Sequence, residues 1–295
     1  MNLALTSLEQ GLIYSVLAMG VYITYKILDI ADLTAESSFP FGALLFAKLA
    51  TSGMNPIISC LIVFVVGTFT GLLTALLHIK LKIEALLAGI LSMTILYSIN
   101  LRINGKPNVP LSGAKSIFDI NISGNSYVDK IIVVFVLVMI IKFVLDWFLK
   151  TETGYLVIAT GDNKSLVRSL GENSNKYIII GLMLSNGLIA LSGALLAQSS
   201  GFADITMGVS IIVVALASII IGDTIFRDDV VKGTTKVIIG AIIYKIIGAI
   251  ALKLGLKPTD FRMVNGIIVV LFIAYNNLQS GFLAKRKNAR RAEND

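Results

Sequence analysis

Residues 159–176, ATGDNKSLVRSLGENSNK, collect Asp162, Asn163, Lys164, Arg168 and Glu172 into a polar stretch inside an otherwise apolar chain. Asp162 or Asn163 can accept from the free N–H groups that open a helix. Gly171 can close it in a left-handed turn, and Leu166 and Leu170 fall four apart on one face. Helices shorter than about 12 residues are marginal in water, so this one needs a surface to lie on. Its apolar stripe, flanked by Lys164 and Arg168, suits a groove on a protein partner; an ordinary capped loop helix is the alternative. The chemistry on offer is docking.

Bond-making chemistry has little to work with. The one histidine, His78, sits at a helix end in LLHIKLKIE, and the one cysteine, Cys60, lies inside an apolar run. That leaves no disulfide framework, no metal cluster and no nucleophile with a base beside it. No GxxxxGK[ST] phosphate loop occurs. The charged groups within apolar runs are more informative, because ionisable residues at membrane depth are costly. Lys245, in KVIIGAIIYKIIGAIALK, is the deepest cation; it faces a polar lumen or snorkels to an edge. Lys142 and Asp146 are spaced as a local helical pair. Asp32, Thr34, Glu36 and Ser37 form the densest polar cluster near a span. They line or gate a solute route, or they cap a helix at the interface. Asn100, Asn186, Asn276 and Asn277 suit hydrogen bonds between helices or to a neutral or zwitterionic solute.

These residues are carried by membrane-length elements. Hydrophobic residues make up 56% of 295 and charged residues 15%, with mean hydropathy +0.85, which excludes an ordinary soluble globule. Apolar runs long enough to cross a core of about 30 Å cover 9–28, 57–77, 84–101, 129–149, 177–198, 206–222, 236–253 and 264–283. A weaker run covers 37–53. The expectation is an all-α polytopic membrane protein of about 8–10 transmembrane helices, one membrane domain over 1–295. The first run follows a leader with no basic residue, so it is expected to stay as a helix. Net charge +7 is explained by basic cytoplasmic loops rather than nucleic acid. Placing the tail KRKNARR inside leaves about fifteen Lys and Arg inside and about eight outside. That puts the 155–176 loop and the 284–295 tail on the cytoplasmic side, and the Pro- and Gly-rich 102–128 loop outside. The tail is expected to touch anionic lipid.

Two segments are not simple spans. In 28–45, LDIADLTAESSFPFGALL, polar residues lead into a stretch broken by Pro40 and Gly42. In 198–226, Gly201, Asp204, Thr206 and Gly208 do the same. Broken helices at membrane depth occur where they pack in protein or line a polar cavity. Both are pathway candidates. Ala31-Asp32-Leu33-Thr34 and Ala203-Asp204-Ile205-Thr206 also echo one another, as an inverted repeat or by chance.

Taken in order, DIADLTAESSFPFGA, ATGDNKSLVRSLGENSNK, GLMLSNGLIALSGALLAQSSGFADITMG and ASIIIGDTIF resemble the permease subunits of bacterial ABC importers of the branched-chain amino acid and ribose permease family. The single-permease subgroup associated with amino acid uptake, aromatic ones included, is the nearest resemblance. It implies a vitamin B12 importer-like fold with broken helices and a multi-pass protein of the bacterial cell membrane with a cytoplasmic C-terminus. It also implies a second permease copy, forming a homodimer, and an extracellular or lipoprotein substrate-binding protein. ATP and Mg would sit on a separate ATPase; this chain would bind no cofactor and be no enzyme. Coupling to that ATPase would map onto Gly161, Asp162, Asn163, Lys164, Leu166, Arg168, Leu170 and Gly171. The pathway candidates are Asp32, Thr34, Glu36, Ser37, Asn100, Asn186, Asp204 and Lys245. The competing class is an ion-coupled secondary transporter, which would use carboxylates at the membrane midplane; most acids here lie at helix ends or in loops.

Overall fold

The computed structural model describes residues 2–120, 126–226 and 231–255, with isolated helical positions between 263 and 274. Most of the 264–283 run, Asn276, Asn277 and the basic tail lie outside the described residues. Ten α-helices follow in chain order: α1 Asn2–Tyr22, α2 Ala35–Thr51, α3 Pro56–Ile79, α4 Ala85–Asn104, α5 Ser126–Phe148, α6 Glu152–Asp162, α7 Lys164–Ser169, α8 Ser174–Ser200, α9 Ile211–Ile225 and α10 Gly233–Lys253. Among the described residues, seven helical segments are long and apolar enough to cross a membrane. The protein is an all-α polytopic membrane protein.

Local chemistry sets the helix ends. Asn55 accepts from the Ile57 N–H at 2.9 Å, with Pro56 in the first helical position, where a missing N–H is harmless. Thr151, Asn163 and Asn173 cap α6, α7 and α8 in the same manner. Gly201 ends α8 with a φ of 76°.

α8 is the central helix: 72% of its apolar window is buried, against 28% for α4 and α5 on the periphery. Small residues let neighbours reach its backbone. A methyl group on Gly42 of α2 would collide with the Ala190 carbonyl, and one on Gly71 of α3 with that of Leu182. The core around it includes Phe39, Phe46, Ile13, Leu17, Leu182 and Ile189, all fully buried.

The echoing tetrapeptides occupy equivalent places. In each, the Asp side chain accepts from the Thr backbone N–H two residues on, Thr34 N to Asp32 Oδ1 at 3.0 Å and Thr206 N to Asp204 Oδ1 at 2.7 Å. The interval from residue 31 to residue 203 is 172, and adding it to Ile13 and Gly20 gives Ser185 and Ser192. Those serines make reciprocal bonds: Ser192 Oγ donates to the Ile13 carbonyl and Ser185 Oγ to that of Gly20, both at 2.8 Å. The same interval takes Glu36 to Gly208, and these two meet. Pro40 has no N–H for the Glu36 carbonyl, and Gly208 backs against that oxygen so closely that a methyl group there would collide with it. An approximate two-fold therefore relates α1 and α2 to α8 and α9, with antiparallel partners and breaks at opposite ends of the bundle.

The breaks differ in form. After α1 a π-helical turn, Ile23–Ile27, leads to residues 28–34, which climb back between helices before α2 begins. After α8 a short strand β2, Phe202–Asp204, pairs antiparallel with β1, Asn108–Pro110, in the register Asn108 with Asp204 and Val109 with Ala203. A 3-10 turn, Ile205–Gly208, then leads into α9. The ribbon thus ties the long loop after α4 to the second break.

Candidate functional site

Two sets of residues carry the functional interest: the elbow between α5 and α8 at one end, and the polar nodes of the broken helices behind it. The elbow is two short helices rather than one. α6, which the sequence reading placed in the 155–176 cytoplasmic loop, packs Gly161 so tightly on the Ile27 carbonyl at the end of the π turn that any side chain would collide. Its signal was Thr151, whose hydroxyl accepts from the Gly154 N–H at 3.2 Å. Asn163 then turns the chain and caps α7, its Oδ1 accepting from Ser165 N at 2.9 Å and Leu166 N at 3.1 Å.

α7 faces two ways. Val167 is fully buried, while Leu166 is 51% and Leu170 66% exposed. Asp162 and Lys164 are exposed beside them. Gly171 closes the helix with a φ of 83°. Arg168 Nε donates to Ser174 Oγ at 3.2 Å, so its guanidinium also braces α7 against the start of α8. Tyr177 donates to Glu172 Oε2 at 2.7 Å and holds the same junction. One apolar pair is left pointing outward from a rigidly mounted two-turn helix.

The mount continues inward. Leu28, directly after the π turn, packs against Gly181 of α8. Four residues later Asp32 Oδ2 accepts from Asn186 Nδ2 at 2.7 Å, and Asn186 Oδ1 accepts from Ser38 Oγ at 2.7 Å. The amide also donates to the Leu182 carbonyl at 3.0 Å. Thr34 and Thr74 hydroxyls pair at 2.6 Å, and those of Ser38 and Thr70 at 2.8 Å. Asn100 Nδ2 donates to the Ser37 carbonyl at 3.0 Å and Ser37 Oγ to that of Met93 at 2.9 Å. Thr70 and Thr74 escaped the sequence reading, since small hydroxyls in spans look like ordinary packing residues.

The pathway candidates therefore separate by exposure. Thr34, Asn100 and Asn186 are fully buried and Ser37 nearly so; their geometry is that of bonds between helices. Glu36 and Asp32 are half-buried. Asp204 sits at the ribbon, where burial opposes ionisation. Hydrogen bonds from the Thr206 hydroxyl, the Asn108 amide and the Thr206 N–H outweigh it and hold the carboxyl below its usual range. Lys245 lies on α10, its ammonium over the Tyr14 ring.

Beside the elbow lies a second polar node. Asp146 accepts from Lys142 at 2.8 Å, Lys232 at 3.0 Å and Thr234 at 2.6 Å, tying α5 to the start of α10. Lys26, on the π turn, pairs with Asp223 of α9 at 2.9 Å. His78 and Cys60 serve structure: the histidine Nδ1 bonds the Ile83 carbonyl at 2.8 Å, and the cysteine accepts from Gln198 at 3.3 Å.

Residues 3–274 match the family model of the branched-chain amino acid transport system permease component. The chain is 44% identical over 284 residues to the tyrosine transport system permease protein of Clostridioides difficile (strain R20291), spanning 96% of this chain and 94% of that one. It is 27% identical over 272 residues to the ribose import permease protein RbsC of Haemophilus influenzae, spanning 90% and 82%. No solved structure matches it significantly.

Proposed function

Because the chain belongs to the family of branched-chain amino acid transport system permease components, and so is a permease subunit of an ABC-type system rather than an enzyme, we propose that it carries an amino acid across the bacterial cell membrane. The solute is aromatic, as the name of the 44% identical tyrosine permease suggests. A separate ATPase, with its ATP and Mg, docks on α7. The observation that carries this reading is the elbow, where Leu166 and Leu170 project from a helix fixed at Asn163 and Gly161 to the base of a broken span. ATPase closure pushes α6 against Ile27, and the push reaches the Asp32–Asn186 node through Leu28.

This assigns the elbow end and the C-terminus to the cytoplasm. The ribbon end faces outward, where the long 102–128 loop meets an extracellular or lipoprotein substrate-binding protein. A second copy completes the pathway. The exposed face of α4 supports that: Tyr97 and Ser98 are both exposed on a span, where lipid would leave their hydroxyls poorly matched. Asp32, Glu36 and Asp204 flank that route, while buried Thr34, Ser37, Asn100 and Asn186 hold its walls.

Leu166→Asp tests the reading. A charge at the centre of the docking face abolishes copurification of the ATPase, while the detergent-purified permease keeps its thermal midpoint. Full retention of the ATPase on the Asp variant sinks the assignment.

A further inference from the structure

Lys245 lies twelve residues after the start of α10 and eight before its end, about 18 and 12 Å along the axis. The lysine stem does not run to an edge. Its Nζ stands 3.5 Å from the centre of the Tyr14 ring on α1, and that ring stacks on Phe39 at 6.2 Å between centroids. Tyr14 also packs on the cluster formed by Val214, Ala217, Ile221 and Tyr244. Tyr244 is 3% exposed, and its hydroxyl has no hydrogen-bond partner among the described residues. An unpaired cation and an orphaned donor thus share one aromatic neighbour inside a span.

Charge balance within the chain does not resolve this. Among the described residues Lys245 makes no ion pair. Glu9, the acid on α1, is taken by Ser199 at 2.6 Å, and Asp223 of α9 by Lys26. Between residues 231 and 292 the sequence holds one acid, Asp260, beyond the far end of α10. Cations at this depth persist when something compensates them, and a π face meets part of that need. With no acid among the described residues paired to Lys245, an oxyanion from outside the chain is the partner that fits. Lipid phosphates lie outside the hydrocarbon core, about 12 Å beyond the level of Lys245; a free solute is not bound to that plane.

We propose that Lys245, seated on Tyr14, binds the carboxylate of the transported solute, with the unpartnered Tyr244 hydroxyl, which shares Tyr14 as a neighbour, as a second donor. The proposal rests on the permease reading above. The ammonium supplies the counter-charge, Tyr14 fixes its position and Tyr244 donates the second hydrogen bond.

The test is ATP-driven uptake of L-tyrosine by vesicles carrying the permease with its ATPase and binding protein. Lys245→Met is expected to lower uptake at least tenfold, with normal ATPase copurification and no fall in thermal midpoint. Lys245→Arg, which keeps the cation, stays within about threefold of wild type, and Tyr244→Phe falls between. Full uptake by the Met variant, above all with a raised midpoint, identifies Lys245 as a lysine of no functional consequence and overturns the proposal. Equal loss in the Met and Arg variants assigns a steric role and overturns it too. Repeating the assay in pure phosphatidylcholine separates the sources: a Met defect seen only with phosphatidylglycerol present assigns the site to a lipid phosphate. A wild type that accumulates no amino acid with ATP sinks the permease reading and this proposal together; an active wild type indifferent to position 245 sinks the proposal alone.

Discussion

Asp146 shows how one side chain fixes the packing of two helices. Its carboxylate takes hydrogen bonds from Lys142, Lys232 and Thr234, and the side chains of Asp146 and Lys142 are 7% and 10% exposed. Removing one partner of a buried pair costs more than removing both, because a desolvated charge is left behind. Asp146→Ala is expected to destabilise the permease by about 3–5 kcal/mol. The double change Lys142→Met with Asp146→Leu costs less, since no buried charge is stranded; half-exposed Lys232 and the Thr234 hydroxyl lose their acceptor. Thermal midpoints of the two variants in detergent measure the difference, and equal losses would refute it. Half of this node was legible in sequence: positions 142 and 146 are one helical turn apart. Lys232 and Thr234 were not, because 86 and 88 residues separate them from Asp146, and spacing carries no information across such a gap.

At the scale of elements, the proposed transmission runs through α6. α6 was missed as a helix because residues 155–176 read as a loop carrying one short helix, yet its Gly161 touches Ile27 more closely than any other residue type allows. Gly161→Val is expected to push α6 off the π turn, at about 1–3 kcal/mol for the overpacked contact. The ATPase should still bind, since Leu166 and Leu170 are untouched, but hydrolysis should no longer drive uptake. The ratio of solute taken up to ATP consumed measures this; an unchanged ratio would show that force travels by another route. The spans themselves were legible: apolar runs at 57–77, 84–101, 129–149, 177–198 and 236–253 fall inside or within a residue of observed helices. The inverted repeat was not, because four matching residues are weak evidence. It took the reciprocal bonds of Ser185 and Ser192, invisible in composition, to establish it.

At the scale of the whole molecule, hydropathy tells how often the chain crosses a membrane but not which surface meets lipid. α4 is the informative case, since its average apolarity conceals a face with Thr94, Tyr97 and Ser98 exposed. If a second copy covers that face, Tyr97→Cys in a Cys60→Ser background should form disulfide-linked dimers under mild oxidation in membranes, whereas Phe143→Cys on the exposed face of α5 should not. Linkage at 143 in preference to 97 would move the interface. The related turns at Asp32 and Asp204 have a consequence of their own. They are twin turns at opposite ends of the bundle, but their shelter is unequal: Asp32 is fastened to the central helix through fully buried Asn186, and Asp204 to a surface ribbon through exposed Asn108. Identical chemistry in unequal surroundings gives the bundle a built-in polarity: local opening is expected to be easier at the exposed ribbon turn than at the buried one.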